Sequence, residues 1–215
     1  MALNSYSALQ ASIANFLARG DLGAEIPDFI ALTEADFNRR LRIRAMETTN
    51  TSFTVDSETE SLPTGFLQLR SIYINGTNKI PLQFITPYQQ HHTQGGSQGG
   101  EPRAYSIEAG NFRFSPSPNS SYTATINYYK AIDALSNSNT TNHILTNHPD
   151  IYLYGSLYFA STFLRGMDPN TVAQFKAQYD ASLAQCEAAD EKDKYNASPL
   201  RIRSDINTNN YDNIK

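Results

Sequence analysis

Apolar residues recur along this chain with changing rhythm. Near the start, Tyr6, Leu9, Ile13, Phe16 and Leu17 fall at three- and four-residue steps, the spacing of one helical face. Asn4 or Ser5 is suited to cap that helix, and Gly20, after Arg19, to end it. A second helix is predicted to open at Pro27, whose fixed φ suits a first helical position, with Asp28 complementing the dipole. Its pattern runs to about Glu47. Ile26, Ile30, Phe37 and Leu41 form one stripe on it, and Leu32, Ile43 and Met46 form another, nearly opposite. A helix wet on one side needs a single stripe. Two stripes predict cover from two sides, by a larger core of the same chain or by a neighbouring subunit. Arg39, Arg40, Arg42 and Arg44 point in several directions around this helix. That scatter fits ion pairs with carboxylates of neighbouring elements better than a DNA-reading face. Lining a channel stays open for some of them.

From Thr48 to about Lys130 the period shortens to two. Phe53 and Val55 alternate with polar residues, and Phe66 to Ile74 leads into Asn75-Gly76, a hairpin-turn pair. Lys79 to Ile85 reads as the returning strand, with Pro81 marking an edge. Thr86-Pro87 opens a short helical turn, and residues 94–100 are a Gly-rich loop tip. Tyr105–Ile107 and Phe112–Phe114 face each other across Gly110-Asn111, and Tyr122–Tyr128 follows after the Pro116 and Pro118 turn.

Helical spacing then returns. His143–Thr146 is a short turn, and Pro149 opens a helix carrying Leu153, Leu157, Ala160 and Leu164 until Gly166. Asp168-Pro169 starts another, with Val172, Phe175, Tyr179, Leu183 and Cys186 in a stripe that fades at 191–194. From Tyr195 the chain is polar with apolar points at Leu200, Ile202, Ile206, Tyr211 and Ile214, a composition suited to docking on a partner. The expected class is α+β. A bundle of about four helices (1–47 and 139–194) carries an inserted small antiparallel β-sheet (48–138) and an extended C-terminal tail (195–215).

Composition narrows the function. The chain has 215 residues, room for one large domain or two small ones. Its mean hydropathy is -0.48 and its net charge -4, without the basic excess of a protein that grips phosphates. Cys186 is the single cysteine, so an internal disulfide and a Cys-based zinc site are excluded, and its apolar position points to packing. The opening MALNSYSALQ lacks a charged and apolar leader, and no run approaches the ~18 apolar residues of a membrane helix. The expectation is a protein made in solution, or built into an assembly from it, with no membrane contact.

Chemical motifs are sparse. His91-His92 adjoin the Gly-rich loop, and His143 and His148 stand five apart across a turn with no zincin-type Glu, so no metal is predicted. There is no G-x-S-x-G elbow, no Walker A loop and no G-x-G-x-x-G. Glu25, Glu34 and Asp36 are the carboxylates to weigh, because glycoside hydrolysis needs only two. Glu34 sits at the edge of the first stripe, where burial would raise its pKa, and is equally placed to pair with Arg44 or another basic residue. The strand aromatics Phe112, Phe114, Tyr122, Tyr128 and Tyr129 read as packing before they read as stacking platforms. No catalytic residue and no cofactor is assigned.

Four stretches share a wider pattern. Ser12 to Glu47 contains an Ile-Pro-Asp-Phe-Ile helix entry at 26–30 and an Arg-rich exit ending in Met-Glu. Glu101 to Pro118 reads EPRAYSIEAGNFRFSPSP, and Tyr128 to Asp150 runs on into YLYGSLYFASTFL. Tyr195 to Arg203 reads YNASPLRIR. In this order they resemble the phage adaptor family, the head-to-tail connectors of short-tailed bacteriophages; Ser204 to Lys215 lies beyond the likeness. The resemblance implies a non-enzymatic virion protein of the head-tail junction, made in the host cytoplasm. It implies a homo-oligomeric ring, typically of twelve copies, beneath the portal protein ring. Such a ring extends the DNA channel, lets the genome pass without specific binding, and carries the tail nozzle and tail fibre proteins. By position, Pro199, Leu200, Arg201, Ile202 and Arg203 would bind the portal. Leu32, Arg39, Arg40, Ile43 and Met46 would face the next subunit. The rival readings are a tail accessory protein with peptidoglycan hydrolase activity and a tail-tube or fibre-attachment protein.

Overall fold

The computed structural model describes residues 3–76, 79–93, 99–164 and 166–195. Among them are six α-helices and two small β-sheets, a mixed α+β fold. The segments assigned to portal docking, Pro199 to Arg203, lie outside the described residues, as does the rest of the chain after Tyr195.

Helix α1 spans Tyr6–Leu17, and Ser5 caps it by accepting the Ala8 N–H at 3.3 Å. It ends earlier than Gly20. Ala18 takes the left-handed conformation at φ 50°, and Arg19 N–H donates to Ala14 C=O while Ala18 N–H donates to Asn15 C=O. This is the hydrogen-bond pattern of a Schellman stop with alanine in the place glycine usually takes.

Helix α2 spans Ile26–Arg40 and is shorter than its sequence pattern. Leu41 turns extended, and the Arg42 guanidinium donates to the Asn38 carbonyl at 2.9 Å, satisfying an acceptor that the helix leaves open. A 3-10 turn follows at Arg44–Met46. The break corrects the two-stripe reading. A continuous helix would carry Ile43 and Met46 to the outside with Leu32; the turn instead rotates both into the chain's own core, where they are 3% and 2% exposed. Both are buried within the chain itself, and Leu32 alone of that stripe stays outside.

The strands are β1 (Glu47–Val55), β2 (Thr59–Ser61), β3 (Phe66–Ile74), β4 (Ile80–Pro81), β5 (Gln83–Phe84), β6 (Ala104–Glu108), β7 (Asn111–Ser115) and β8 (Tyr122–Lys130). They form two sheets, not one: β1-β8-β3-β4 and β2-β7-β6-β5. The stretch read as one returning strand is the corner between them. β4 pairs with β3, Leu82 is buried, and β5 joins β6 in a parallel pair, so the second sheet is not purely antiparallel. Pro81 does sit on an edge strand, where its missing N–H costs no ladder bond. The tight turn between β6 and β7 is Ala109-Gly110, both at positive φ, as a two-residue hairpin loop requires. Helix α3, Pro87–Thr93, opens with a reciprocal cap: Gln89 N–H donates to Thr86 Oγ1, and Thr86 N–H donates to Gln89 Oε1.

Helices α4 (His143–Asn147), α5 (Pro149–Phe163) and α6 (Pro169–Tyr195) complete the described chain. α5 is buried on most of its circumference and contacts α1, α2, α4 and α6. Gly155 lets this happen. A Cβ there would collide with Thr33 of α2 and lie 2.9 Å from the Tyr179 ring of α6. Buried apolar side chains fall into two clusters, one among the helices and one between the sheets. They meet at β8, where alternation sends Tyr128 into the sheet cluster and Tyr129 into the helical one.

Candidate functional site

The outer face of α2 follows from its spacing. Asp28, Ala31, Leu32, Ala35 and Arg39 are all exposed and recur at three- and four-residue steps. Leu32 is 49% exposed. Beside it, Phe29 touches the ring of Phe163 at 5.5 Å, and Phe163 is itself 57% exposed at the end of α5. Among the described residues Arg39 reaches only Asp36, at 3.3 Å. Arg40 turns toward α6, pairing with Asp180 at 2.8 Å and lying over the Tyr179 ring at 5.7 Å. The Tyr179 hydroxyl donates to Asp36 at 3.0 Å, and burial followed by the Asp36 charge raises its pKa.

The second cluster lies at the last turns of α6. Arg44 donates to Asp190 from its backbone N–H at 3.0 Å and from Nε at 3.2 Å, and its Nη2 reaches Asp193 at 3.0 Å. Lys194 approaches Asp190 at 2.8 Å. Burial pushes the Asp190 carboxyl up, but the hydrogen bonds from Lys194 and Arg44 outweigh it and hold the pKa below its usual range. Ion pairing of Arg40 and Arg44 with carboxylates of another element is what their scatter around the chain axis predicted. Arg44 therefore does not meet Glu34. A cleft of about 430 Å³ runs beside Asp190, lined among others by Ile43, His143, His148 and Cys186. Burial and His148 lower the His143 pKa, and burial pushes the Cys186 thiol up to about 11. Among the described residues no group of three or more His, Cys, Asp or Glu is arranged to hold a metal. His91 and His92 lie in α3.

Glu34 is 7% exposed and serves the core. Its Oε1 accepts the Leu135 N–H at 2.7 Å and the Tyr152 hydroxyl at 2.9 Å. Asn142 donates to the Tyr152 oxygen at 2.6 Å and to the Asp133 carbonyl at 3.0 Å, while its own Oδ1 caps α4 through Leu145 N–H. The network pins the segment between β8 and α4 onto α2 and α5. Burial raises the Glu34 pKa in spite of its two donors, as a carboxyl at the stripe's edge was expected to show.

Sequence spacing did not expose the Arg44–Asp190 contact, whose partners stand 146 residues apart. A run of acidic residues at a helix C-terminus was the available signal, since it opposes the helix dipole unless cations answer it.

Among the described residues no helix is long and apolar enough to cross a membrane. The family described as SU10 adaptor protein matches residues 4–203, nearly the whole chain. This chain belongs to that family, a family of phage structural proteins that act as adaptors. No curated protein matches it.

Proposed function

We propose that the protein is a head-to-tail adaptor, a subunit of a ring beneath the portal of a phage particle. The ring extends the DNA channel and carries the tail nozzle and fibres. The observation that carries this reading is membership of the SU10 adaptor family across residues 4–203. The physical chemistry agrees with it. A net charge of -4 suits a channel wall along which DNA slides without sticking. Leu32, Arg39 and Arg40 are exposed on one side of α2 and belong to the ring contact, whereas Ile43 and Met46 support that helix from within.

The mechanism is assembly. The helical and sheet cores form first, and Pro199, Leu200, Arg201, Ile202 and Arg203 dock on the portal. Ordering a polar segment on binding costs conformational entropy, so attachment depends on the right partner being present. The experiment is light scattering of the purified chain, alone and mixed with its portal ring. A discrete large complex forms only in the mixture. Absence of any complex at every salt concentration overturns the reading. Removing Ser198 to Lys215 leaves a folded chain that no longer binds the portal, and normal binding by the shortened chain would reject the docking role of that segment.

A further inference from the structure

The outer face of α2 has a symmetry that the ring reading does not use. Four of its exposed residues are balanced about the point between Thr33 and Glu34. Asp28 and Arg39 stand equally far on either side, as do Leu32 and Ala35. Asp28 and Arg39 are separated by eleven positions, about 16 Å along the axis and about 20° around it. One end of the face thus carries an anion, the other a cation, and the middle a large apolar side chain beside a small one.

The two charges are available. Asp28 makes no ion pair or side-chain hydrogen bond among the described residues. Arg39 is 73% exposed and, among the described residues, held only by Asp36 at 3.3 Å, a pair of little worth in water. Asp36 does not need it, because Arg40 and the Tyr179 hydroxyl also reach that carboxylate.

We infer that two copies of the free chain pair antiparallel through these α2 faces, about a two-fold axis between Thr33 and Glu34. Such an axis brings Asp28 of each copy to Arg39 of the other, twice. It also seats each Leu32 over the other copy's Ala35, where the absence of a larger side chain leaves room. A two-fold contact uses the same patch on both partners, and this patch is self-complementary in charge and shape. A parallel arrangement would instead set Asp28 against Asp28 and Arg39 against Arg39. One helix of 15 residues offers less than the roughly 1,200 Å² of a stable interface, so the dimer is weak and depends on concentration and salt. The consequence for assembly rests on the adaptor reading: a face used in the dimer is withheld from the ring.

Sedimentation of the full chain, without portal, tests the pairing. The expected result is a monomer–dimer equilibrium that moves toward monomer as salt rises. Arg39→Glu weakens the dimer about tenfold, since each copy then sets two carboxylates together at both ends. Asp28→Lys combined with Arg39→Glu restores it, because a two-fold axis exchanges both partners at once. Leu32→Asp, at an exposed position that leaves the fold intact, gives monomer. Monomer at all concentrations overturns the proposal. So does a double exchange no stronger than Arg39→Glu alone, or a dimer unaffected by Leu32→Asp. Binding of the wild-type chain to the portal tests the adaptor reading separately, with no substitution on this face.

Discussion

The two cores of this protein hold themselves together differently. Between the sheets, Phe112 is ringed by aromatics: Phe53, Phe66 and Tyr105 meet it near edge-on at 5.7 to 6.1 Å, and Phe114 lies tilted beside it. Among the helices a buried polar network runs through the apolar core. Glu34, Tyr152 and Asn142 form a hydrogen-bonded chain, and Thr33 and Ser156 sit with Gly155 at the crossing of α2 and α5. Aromatic packing gains its energy from area and tolerates small shifts. A buried carboxylate costs energy unless its donors stay in place, so it fixes how the helices and the segment before α4 fit together.

The largest effect should come from Phe112→Ala, which opens a cavity and costs about 3–5 kcal/mol in chemical unfolding. Hydrogen exchange sharpens the contrast. The amides of β6 and β7 lose protection while those of α5 keep it, and equal loss in both would show one cooperative core.

Gly155→Ala follows, at about 1–3 kcal/mol, because an added Cβ meets Thr33 and the Tyr179 ring. Thr33→Ser removes the nearer obstacle, so the double variant recovers part of the loss. An additive pair in thermal melts would mean that the crossing relaxes elsewhere.

Ala18→Gly should stabilise the helical core by about 1 kcal/mol, since glycine accepts the left-handed conformation that alanine holds under strain. A lower melting temperature would contradict this.

The smallest effect is a slope. Burial raises the Glu34 pKa in the folded state, so the folded chain favours the protonated carboxyl. The stability that this group contributes is complete below the unfolded carboxylate pKa, and is lost as pH rises through the folded one. Glu34→Gln keeps an oxygen acceptor for Leu135 and Tyr152 without titrating. Its stability relative to wild type should rise across that window, and parallel pH profiles would remove Glu34 from the account.

Much of this was legible in advance where the physics is local. The helix at Pro149, the short helical start at Thr86-Pro87 and the edge position of Pro81 follow from φ restriction and capping, which involve a few neighbouring residues. The α2 stripe was half legible. Apolar spacing alone does not tell a continuous helix from a helix that breaks and turns its next residues inward, and Ile43 and Met46 were misread for that reason.

The sequence by itself determined the alternation of helical and strand segments, the absence of a nucleotide-binding or hydrolase motif, and the family pattern, because these depend on residue type and spacing along one chain. Tertiary structure decided that the strands form two sheets with a corner at Leu82. It also decided that Glu34 is held by Tyr152 and Leu135 rather than Arg44, and that Arg44 instead secures Asp190. Those pairings join residues about a hundred positions or more apart. Burial and hydrogen-bond geometry select among their partners, and neither exists until the chain has closed on itself.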